Sequence, residues 1–225
     1  MERGKLVVFE GTEGSGKSTQ LRLLSDRLSA AGVPVVPLRE PGGTPVGDTV
    51  REILLNPNGD VTPAAEALLF MGSRAELVSR EIKPALKRGD VVLMDRFFLS
   101  TYAYQIAGRG LPEADVRGAN CLATDGIVPD LTIVLDFPSA DGIDRAAMRG
   151  IHDRIESSGE DFHQRVERAF ALAGTAEWQA EHPECGPIVK VDGRGTREEV
   201  FARVLAALLQ AMPNRFAALQ EETTE

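Results

Sequence analysis

Short apolar runs alternate along this chain with longer segments in which apolar residues recur with a helical period. The apolar runs are rich in valine, leucine and isoleucine and end at polar or turn-forming residues, as buried strands do. These runs span 5–10, 34–40, 91–95, 131–136 and 187–192. Because strands that alternate with helices form parallel sheets, the pattern predicts an α/β fold with helices on both faces of a sheet.

Two of the intervening segments also carry the signals of helix ends. After the first run, leucines recur on one face from Leu21 to Leu28, and Gly32 stands where a helix C-terminus is expected. Near the end of the chain, Thr196 and Glu199 have the spacing of a capping box. We therefore predict one helix after the first strand and another after the last.

The chain shows no internal repeat and no linker rich in glycine, serine or proline. Its 225 residues, 43% hydrophobic and 26% charged, suffice for one large α/β domain. We predict a single domain over 1–212, with a polar and mobile segment at about 143–160. An acidic, flexible tail is predicted over 213–225.

Charge and cysteine content narrow the range of functions. A net charge of −9 and a pI near 5.0 argue against broad binding to nucleic acid, but a nucleotide site needs only a few cations. Cys121 and Cys185 lack the spacing of a metal site or a redox pair. No apolar stretch resembles a signal peptide or reaches the roughly 20 residues that span a bilayer, so we expect a cytoplasmic protein without a membrane partner.

Residues 11–18 match G-x-x-x-x-G-K-[ST] between the first predicted strand and the first predicted helix. In such a P-loop, backbone N–H groups and the helix N-terminus surround phosphates, a lysine contacts the β- and γ-phosphates, and a hydroxyl binds Mg²⁺. Lys17 and Ser18 take the last two places. The residues expected at the triphosphate are Gly11, Thr12, Glu13, Gly14, Ser15, Gly16, Lys17, Ser18 and Thr19. The loop predicts binding of a nucleoside triphosphate with Mg²⁺.

Charged residues follow the second and third predicted strands, at the edge of a parallel sheet where ligands bind. Arg39 and Glu40 precede a turn rich in glycine and proline, and Asp95 and Arg96 close the third strand. A carboxylate in the position of Asp95 can reach Mg²⁺ or its waters. These residues indicate a second binding region beside the P-loop.

Two pairs of residues spaced four apart suggest a pocket for a base. Phe70 and Arg74 share one face of a helix predicted over 63–79, and Thr101 and Gln105 have the same spacing. A ring beside a guanidinium suits a flat base next to a phosphate or carbonyl, although Phe70 alone would equally suit core packing. The Gln105 amide can pair with both a donor and an acceptor on a base edge.

Seven motifs, in this order, resemble those of bacterial thymidylate kinases, a family of P-loop nucleoside monophosphate kinases. They are EGTEGSGKSTQ, REPGGTPVG, LLFMGSRAE with the IKPAL that follows it, DRFFLSTYAYQ, PDLTIVLDFP, DRIE and DFHQRVERAF, and the resemblance as a whole covers about residues 5–210. The resemblance implies a P-loop NTPase fold with three α/β/α layers, a five-stranded parallel sheet and a mobile lid. It also implies a homodimer that uses Mg²⁺ and transfers the γ-phosphoryl group of ATP to thymidine 5′-monophosphate (dTMP), giving dTDP for dTTP synthesis.

The same resemblance assigns roles in the acceptor pocket. Phe70 would stack on thymine, Arg74 and Gln105 would read its polar edge, and Arg96 would hold the acceptor phosphate. Glu13 would accept a hydrogen bond from the deoxyribose 3′-hydroxyl, the alternative being a tolerant loop position. The residues implied for dTMP binding are Glu13, Arg39, Glu40, Phe70, Arg74, Arg96, Ser100, Thr101 and Gln105.

The variable positions of the P-loop contain no arginine, so further positive charge at the transferring phosphoryl group must come from elsewhere. By resemblance, the polar segment at 143–160 is a lid that closes over ATP and delivers arginines. We favour Arg149, which lies at the junction of a predicted helix and the lid; a solvated charged helix is the alternative. The residues expected to act in catalysis are Lys17, Asp95, Arg96, Arg145, Arg149 and Arg154.

Two other functions fit part of the pattern. A related kinase with a different nucleotide or nucleoside acceptor shares the P-loop, but a nucleoside acceptor would require a carboxylate base, whereas Arg39, Arg74 and Arg96 favour an acceptor that carries phosphate. A regulatory P-loop ATPase would lack a second base pocket and would hydrolyse ATP without an acceptor.

Overall fold

The computed structural model of the protein describes residues 3–138 and 153–219. Within these residues, five strands form a parallel sheet in the order β2-β3-β1-β4-β5. The strands are β1 (Lys5–Glu10), β2 (Val35–Arg39), β3 (Val91–Asp95), β4 (Leu131–Asp136) and β5 (Ile188–Asp192). Each strand matches a predicted run to within one residue at either end, which confirms the five-stranded parallel sheet.

Helices connect the strands and cover both faces of the sheet. They are α1 (Lys17–Ala30), α2 (Pro45–Leu55), α3 (Pro63–Leu77), α4 (Lys83–Arg88), α5 (Phe98–Thr101), α6 (Glu113–Thr124), α7 (Glu160–Ala173), α8 (Ala176–Glu181) and α9 (Arg197–Ala211). Wider π-helical turns continue α3 over Val78–Ile82 and α5 over Tyr102–Gly108. Short 3₁₀ turns lie at Pro183–Cys185 and Ala217–Leu219.

Alternate residues of β1 point to opposite faces of the sheet and enter two separate cores. Leu6 and Val8 pack in the first core, with α3, α4, α5 and α7. Val7 and Phe9 pack in the second core, with α1 and α9. Both faces of the central strand are therefore buried, as the unbroken apolar run from Leu6 to Phe9 requires.

The helix after the last strand begins with the predicted capping box. The Thr196 hydroxyl accepts a hydrogen bond from the Glu199 N–H at 3.2 Å, and the Glu199 carboxylate accepts one from the Thr196 N–H at 2.8 Å. These two bonds satisfy backbone donors at the start of α9.

The helix predicted over 63–79 ends as an α-helix at Leu77 and continues through the π-helical turn Val78–Ile82 into α4. Pro84 gives a physical reason for the wider turn. Proline has no N–H to donate to the carbonyl four residues earlier, and its ring crowds that carbonyl, so the regular bonding pattern cannot continue.

The packed chain extends beyond the predicted domain boundary at residue 212. Phe216 and Leu219 are almost completely buried in the second core. Arg215 donates a hydrogen bond to the Gly89 carbonyl at 2.7 Å. The first part of the predicted flexible tail is therefore packed against the domain, because its apolar side chains at 216 and 219 are buried in the second core.

The sheet brings the predicted site residues to one edge. β1 lies between β3 and β4, and Phe9 pairs in register with Asp95 and with Ile133. The P-loop after β1 therefore starts beside the charged residues that end β3. This is the carboxyl edge of the strands, where ligands bind in open α/β sheets.

Candidate active site

The P-loop joins β1 to α1 and surrounds the amino group of Lys17. Lys17 Nζ donates to the carbonyl of Gly11 at 3.0 Å and to the carbonyl of Thr12 at 2.6 Å. Burial, aided by the neighbouring Arg96 guanidinium, lowers the pKa of Lys17 to about 8. Gly11 has φ +138°, and a Cβ there would lie 2.7 Å from the Leu135 carbonyl oxygen, so this approach requires glycine.

Glu13, in the middle of the P-loop, lies against Arg96 and Tyr104. Its Oε2 accepts hydrogen bonds from Arg96 Nη2 and from the Tyr104 hydroxyl, the latter at 2.7 Å. Burial disfavours the charge, but the cations of Arg96 and Lys17 outweigh burial and lower the pKa of Glu13 to about 2. Glu13 is therefore ionised and is held at the wall of the site by side chains that follow β3.

Arg96 has a left-handed backbone conformation with φ +69°, which is uncommon for a residue other than glycine. Its Nη1 donates to the Gly11 carbonyl and to the Ser100 hydroxyl, both at 3.1 Å. The buried carboxylate of Glu10 accepts from the backbone N–H groups of Phe97 at 2.8 Å and Ser100 at 3.0 Å. These bonds join the ends of β1 and β3 and present Arg96 beside the P-loop.

Ser18 and Asp95 bring two oxygen donors together next to Lys17. The Ser18 hydroxyl donates a hydrogen bond to Asp95 Oδ2. Hydroxyl and carboxylate oxygens are the hard ligands that Mg²⁺ prefers, and this ion usually keeps its other positions for water and phosphate oxygens. The donor pair fits the predicted metal position.

A cleft of about 480 Å³ runs from the P-loop to α3 and the π-helical turn after α5. It is lined by Glu13, Gly14, Gly16, Lys17, Ser18, Thr19, Arg39, Glu40, Pro41, Arg51, Leu55, Phe70, Arg74, Asp95, Arg96, Ser100, Thr101, Tyr104, Gln105, Asp153, Ile155 and Glu156. Every residue predicted for the acceptor pocket lines this cleft, together with the predicted metal ligands. The structure thus places the triphosphate loop and the acceptor residues in one continuous space.

Arg74 is 2% exposed, and protein groups accept hydrogen bonds from all its N–H donors. Nε and Nη2 donate to Glu40 Oε2 at 2.8 and 2.5 Å, and Nη2 also donates to the Phe97 carbonyl at 2.9 Å. Nη1 donates to the Thr101 hydroxyl at 2.8 Å and to Asn120 Oδ1 at 2.5 Å. Arg74 can therefore bond an acceptor molecule only by exchanging one of these five bonds, such as that to Thr101.

Phe70 and Gln105 face the same part of the cleft. Phe70 is half-buried and packs against the first core. Gln105 is almost fully buried, and its Nε2 donates to Glu66 Oε1 at 3.1 Å. An aromatic ring and an amide are thus both among the groups that line the cleft.

Of the three predicted lid arginines, only Arg154 lies within the described residues. Arg145 and Arg149 lie outside the described residues. Arg154 Nε donates to the Leu54 carbonyl at 3.1 Å, and its Nη2 lies 2.7 Å from Glu66 Oε2. The residues on either side of Arg154 line the cleft, but Arg154 itself turns to the buried carboxylate. In this structure Arg154 anchors the chain beside α2 and α3, whereas the prediction placed it at the transferring phosphoryl group.

Sequence patterns do not single out Arg51 and Tyr104, which also line the cleft. Arg51 Nη1 donates to the Pro41 carbonyl at 2.9 Å, and burial together with the neighbouring Arg39 lowers the pKa of Arg51. Tyr104 directly precedes the predicted Gln105, and the π-helical turn brings both into the cleft. For Arg51 no local signal exists, since only tertiary packing brings α2 to this edge of the sheet.

These features define a class of protein. The cleft contains a P-loop with an ionised carboxylate, a hydroxyl–carboxylate pair beside it, and further arginines. These are the parts of a P-loop phosphotransferase that acts on a small acceptor.

Comparison with known proteins gives the particular family. The family model for thymidylate kinase matches residues 9–182. The thymidylate kinase of Deinococcus radiodurans is 43% identical over 208 residues, covering 92% of this chain and 98% of the relative. That of Pelotomaculum thermopropionicum is 49% identical over 177 residues, covering 77% and 82%. This chain belongs to the thymidylate kinase family, as its motifs predicted.

Solved structures agree with this assignment. The crystal structure of thymidylate kinase from Ehrlichia chaffeensis superimposes with a TM-score of 0.71 at 29% identity, covering 92% of this chain and 99% of that one. The P-loop NTPase fold is therefore shown by the similarity to this crystal structure as well as by the order of the strands. No helix within residues 3–138 and 153–219 is long and apolar enough to cross a membrane.

Proposed function

We propose that this protein transfers the γ-phosphoryl group of ATP to dTMP, giving ADP and dTDP. One observation carries the proposal: a single cleft is lined by the P-loop lysine, by several arginines, and by an aromatic ring and an amide. Membership of the thymidylate kinase family supports the same reaction. A regulatory ATPase would have no use for the second pocket.

The donor side of the cleft would hold the triphosphate through the P-loop. Lys17 would exchange its bonds to the Gly11 and Thr12 carbonyls for phosphate oxygens, which attract its positive charge more strongly. The backbone N–H groups at the start of α1 add positive potential at the same point. The γ-phosphate would then point along the cleft toward the acceptor.

The acceptor side would hold dTMP by its three parts. Arg39, Arg51 and Arg96 would surround the phosphate, which needs several cations because the γ-phosphoryl group approaches it. Phe70 would stack on the thymine ring. Glu13, already bonded to Tyr104, would meet the deoxyribose 3′-hydroxyl. This arrangement would put the acceptor phosphate oxygen in line with the γ-phosphorus.

Mg²⁺ would be held by the Ser18 hydroxyl and by Asp95, directly or through water, in exchange for the hydrogen bond between them. When bound, Mg²⁺ would neutralise part of the phosphate charge and fix the geometry of the triphosphate. Lys17 and Arg96 would supply positive charge from either side of the same position.

We further propose that the domain predicted over 1–212, together with the packed residues up to Leu219, acts as one kinase domain whose lid lies at about 143–160. The described end of this segment supports an anchored lid base, since Arg154 is bonded to Leu54 and Glu66. Because Arg154 is engaged in this way, Arg149 and Arg145 are the lid arginines proposed to reach the transferring phosphoryl group.

We also propose that the protein is a homodimer. The helix α3 packs between α2 and α6, and each of the three helices exposes large apolar side chains. They are Val46 and Ile53 on α2, Leu68 on α3 and Leu122 on α6. A continuous helical face with exposed leucines is what an interface between two copies would cover.

A coupled assay of ADP release across a panel of monophosphates tests the reaction. With ATP and Mg²⁺, dTMP should give by far the highest kcat/KM among dTMP, dCMP, AMP and UMP. Strong turnover of UMP or AMP without turnover of dTMP would overturn the acceptor. Full-rate ADP release without any acceptor would instead support an ATPase.

A further inference from the structure

Glu66 is a buried carboxylate that does not line the cleft, yet it contacts a residue that does. It lies in the first turns of α3 and is 1% exposed. Oε1 accepts from Gln105 Nε2 and from Arg109 Nε, both at 3.1 Å. Oε2 accepts from Arg109 Nη2 at 3.0 Å and lies 2.7 Å from Arg154 Nη2. Both oxygens are thus occupied by donors.

These contacts keep Glu66 ionised. Burial opposes the charge, but hydrogen bonds from Arg109 and Gln105 outweigh it and hold the pKa of Glu66 below its ordinary value. An ionised carboxylate accepts hydrogen bonds and cannot donate them. Gln105 must therefore turn its NH₂ group, and not its carbonyl oxygen, toward Glu66.

The direction of this amide matters because Gln105 lines the cleft at the end proposed for the base. One hydrogen of Nε2 is donated to Glu66, which fixes the sides on which the carbonyl oxygen and the second hydrogen can meet a ligand. The neighbouring Arg74 has no uncommitted N–H donor, since five hydrogen bonds to four protein acceptor atoms occupy its guanidinium. Gln105 is accordingly the group at this end whose hydrogen-bonding direction is set in advance.

We propose that Glu66 is a positioning residue that fixes the Gln105 amide with its carbonyl oxygen toward the acceptor, so that the pocket selects a pyrimidine whose N3 carries a hydrogen. Thymine and uracil have this hydrogen, whereas N3 of cytosine is itself an acceptor and would face the oxygen unpaired. A binding site whose buried polar groups pair with one base binds another base weakly if that base leaves those protein groups without a hydrogen bond. The inference rests on the proposed function and adds the origin of its base selectivity.

The test is Glu66→Gln, assayed with dTMP, dUMP and dCMP at saturating ATP and Mg²⁺. The new amide is of the same size but can donate as well as accept, so the Gln105 amide can turn over without losing its partner. The ratio of kcat/KM for dTMP to that for dCMP should fall by about tenfold or more, mainly through a higher KM for dTMP. The ratio of dTMP to dUMP, which share the N3 hydrogen, and the KM for ATP should stay as in the wild type.

Arg109→Gln is the matched control. It removes another partner of Glu66 but leaves the bond between Gln105 and Glu66, so the ratio of dTMP to dCMP should stay near the wild-type value. If the Glu66→Gln variant does not fold, the double variant with Glu66→Gln and Arg109→Gln is compared with the Arg109→Gln variant. The double variant lacks the buried guanidinium of Arg109, which Glu66→Gln would otherwise leave without its carboxylate partner.

The possible outcomes separate the two proposals. Folded Glu66→Gln protein with an unchanged preference for dTMP over dCMP would overturn the role of Glu66 and leave the proposed function standing. Wild-type protein that does not phosphorylate dTMP would overturn the proposed function and this inference with it. An equal loss of kcat/KM for all three monophosphates would show a structural role only and would likewise overturn the positioning role.

Discussion

Glu13 places a carboxylate in a loop that binds phosphate, and its neighbours explain why the charge is stable there. Arg96 and Lys17 lie on either side of it and lower its pKa to about 2 in spite of burial. Its charge offsets the repulsion between these two cations, which would otherwise face each other across a partly buried wall. The Tyr104 hydroxyl completes the contacts at 2.7 Å. Glu13 is thus part of the P-loop and at the same time bonded to residues that follow β3.

The variant Glu13→Gln tests this position. The amide is neutral, so it accepts a weaker hydrogen bond from a sugar hydroxyl and holds Arg96 less firmly. We expect the KM for dTMP to rise about tenfold, while the KM for ATP changes by less than about twofold. Steady-state kinetics with each substrate varied in turn gives both values. Equal increases in the two KM values would show that Glu13 acts through the P-loop alone.

The lowered pKa of Lys17 predicts a pH dependence of ATP binding. Burial and Arg96 lower this pKa to about 8, so in the free protein Lys17 loses its proton as the pH rises through that value. Bound phosphates favour the charged amine and raise its pKa again. ATP affinity should therefore fall above pH 8. At pH 9, the protein should take up about one proton when ATP binds, whereas at pH 7 it should take up almost none.

Isothermal titration calorimetry measures this proton uptake. A non-hydrolysable ATP analogue is titrated at pH 7 and at pH 9, each in two buffers of different ionisation enthalpy. Lys17→Met serves as the control, since it removes the titrating amine. Proton uptake at pH 9 that equals uptake at pH 7, or that persists in the variant, would contradict the assignment to Lys17.

At the residue scale, sequence patterns predict those site residues that follow a strand or a phosphate-binding motif. Asp95 and Arg96 could be predicted because a short apolar run ends just before them. Arg51 and Glu66 could not, since their roles depend on how α2 and α3 pack against residues far away in the chain. Arg154 was predicted at the transferring phosphoryl group, and its contact with Glu66 could not be predicted because no local pattern shows that buried carboxylate.

At the element scale, the strands were predictable because each is an apolar run bounded by turn residues, and parallel central strands are buried on both faces. The π-helical turns were not, since a wider turn changes the period over only a few residues. The turn over Tyr102–Gly108 nevertheless matters for function, as it carries Tyr104 and Gln105 into the cleft. It is held from outside by Arg165 of α7, which donates to the Gly108 carbonyl at 2.8 Å.

The close packing of this turn against α7 gives a testable prediction. A Cβ at Gly108 would lie 2.6 Å from Cε2 of Phe162, far closer than two carbon atoms pack. We expect Gly108→Ala to lower the free energy of unfolding by about 1–3 kcal/mol. Since Gln105 lies on the same turn, the KM for dTMP should rise more than the KM for ATP. Urea unfolding and steady-state kinetics measure the two effects.

A second substitution identifies the cause of that loss. Phe162→Leu removes the ring edge that the new methyl group meets, although it loses packing of its own. In the double variant, the loss of stability should be smaller than the sum of the two single losses, as expected for residues in direct contact. Strictly additive losses would show that Gly108 is required for a reason other than Phe162.

At the scale of the whole molecule, the overall charge is not repeated in the cleft. The chain carries −9, yet the cleft is lined by five cations and five carboxylates, and Lys17, Arg39, Arg51, Arg74 and Arg96 supply the cations. Composition alone predicts only that extended nucleic-acid binding is disfavoured. The gathering of these cations depends on the order of the strands, which brings the ends of β1, β2 and β3 to one edge, and this order follows from tertiary structure.

The proposed dimer predicts which surface changes alter the mass of the protein in solution. Leu122 is 83% exposed and Leu68 is 64% exposed on neighbouring helices, so neither contributes much to the core of one chain. Changing both to lysine would place charge in an apolar interface without disturbing the fold. By light scattering, the wild type should have twice the chain mass of 24.3 kDa and the double variant a single chain mass.

Leu172→Lys provides the matched control, because Leu172 is 56% exposed but lies on α7, which is not one of the three helices of the proposed interface. This variant should remain a dimer and unfold at the temperature of the wild type. If Leu68→Lys with Leu122→Lys keeps the dimer mass while Leu172→Lys loses it, the interface lies on the α7 side. A wild-type protein with a single chain mass would exclude the dimer at that concentration. The exposed leucines would then be ordinary surface residues, since single exposed apolar side chains are common on monomers.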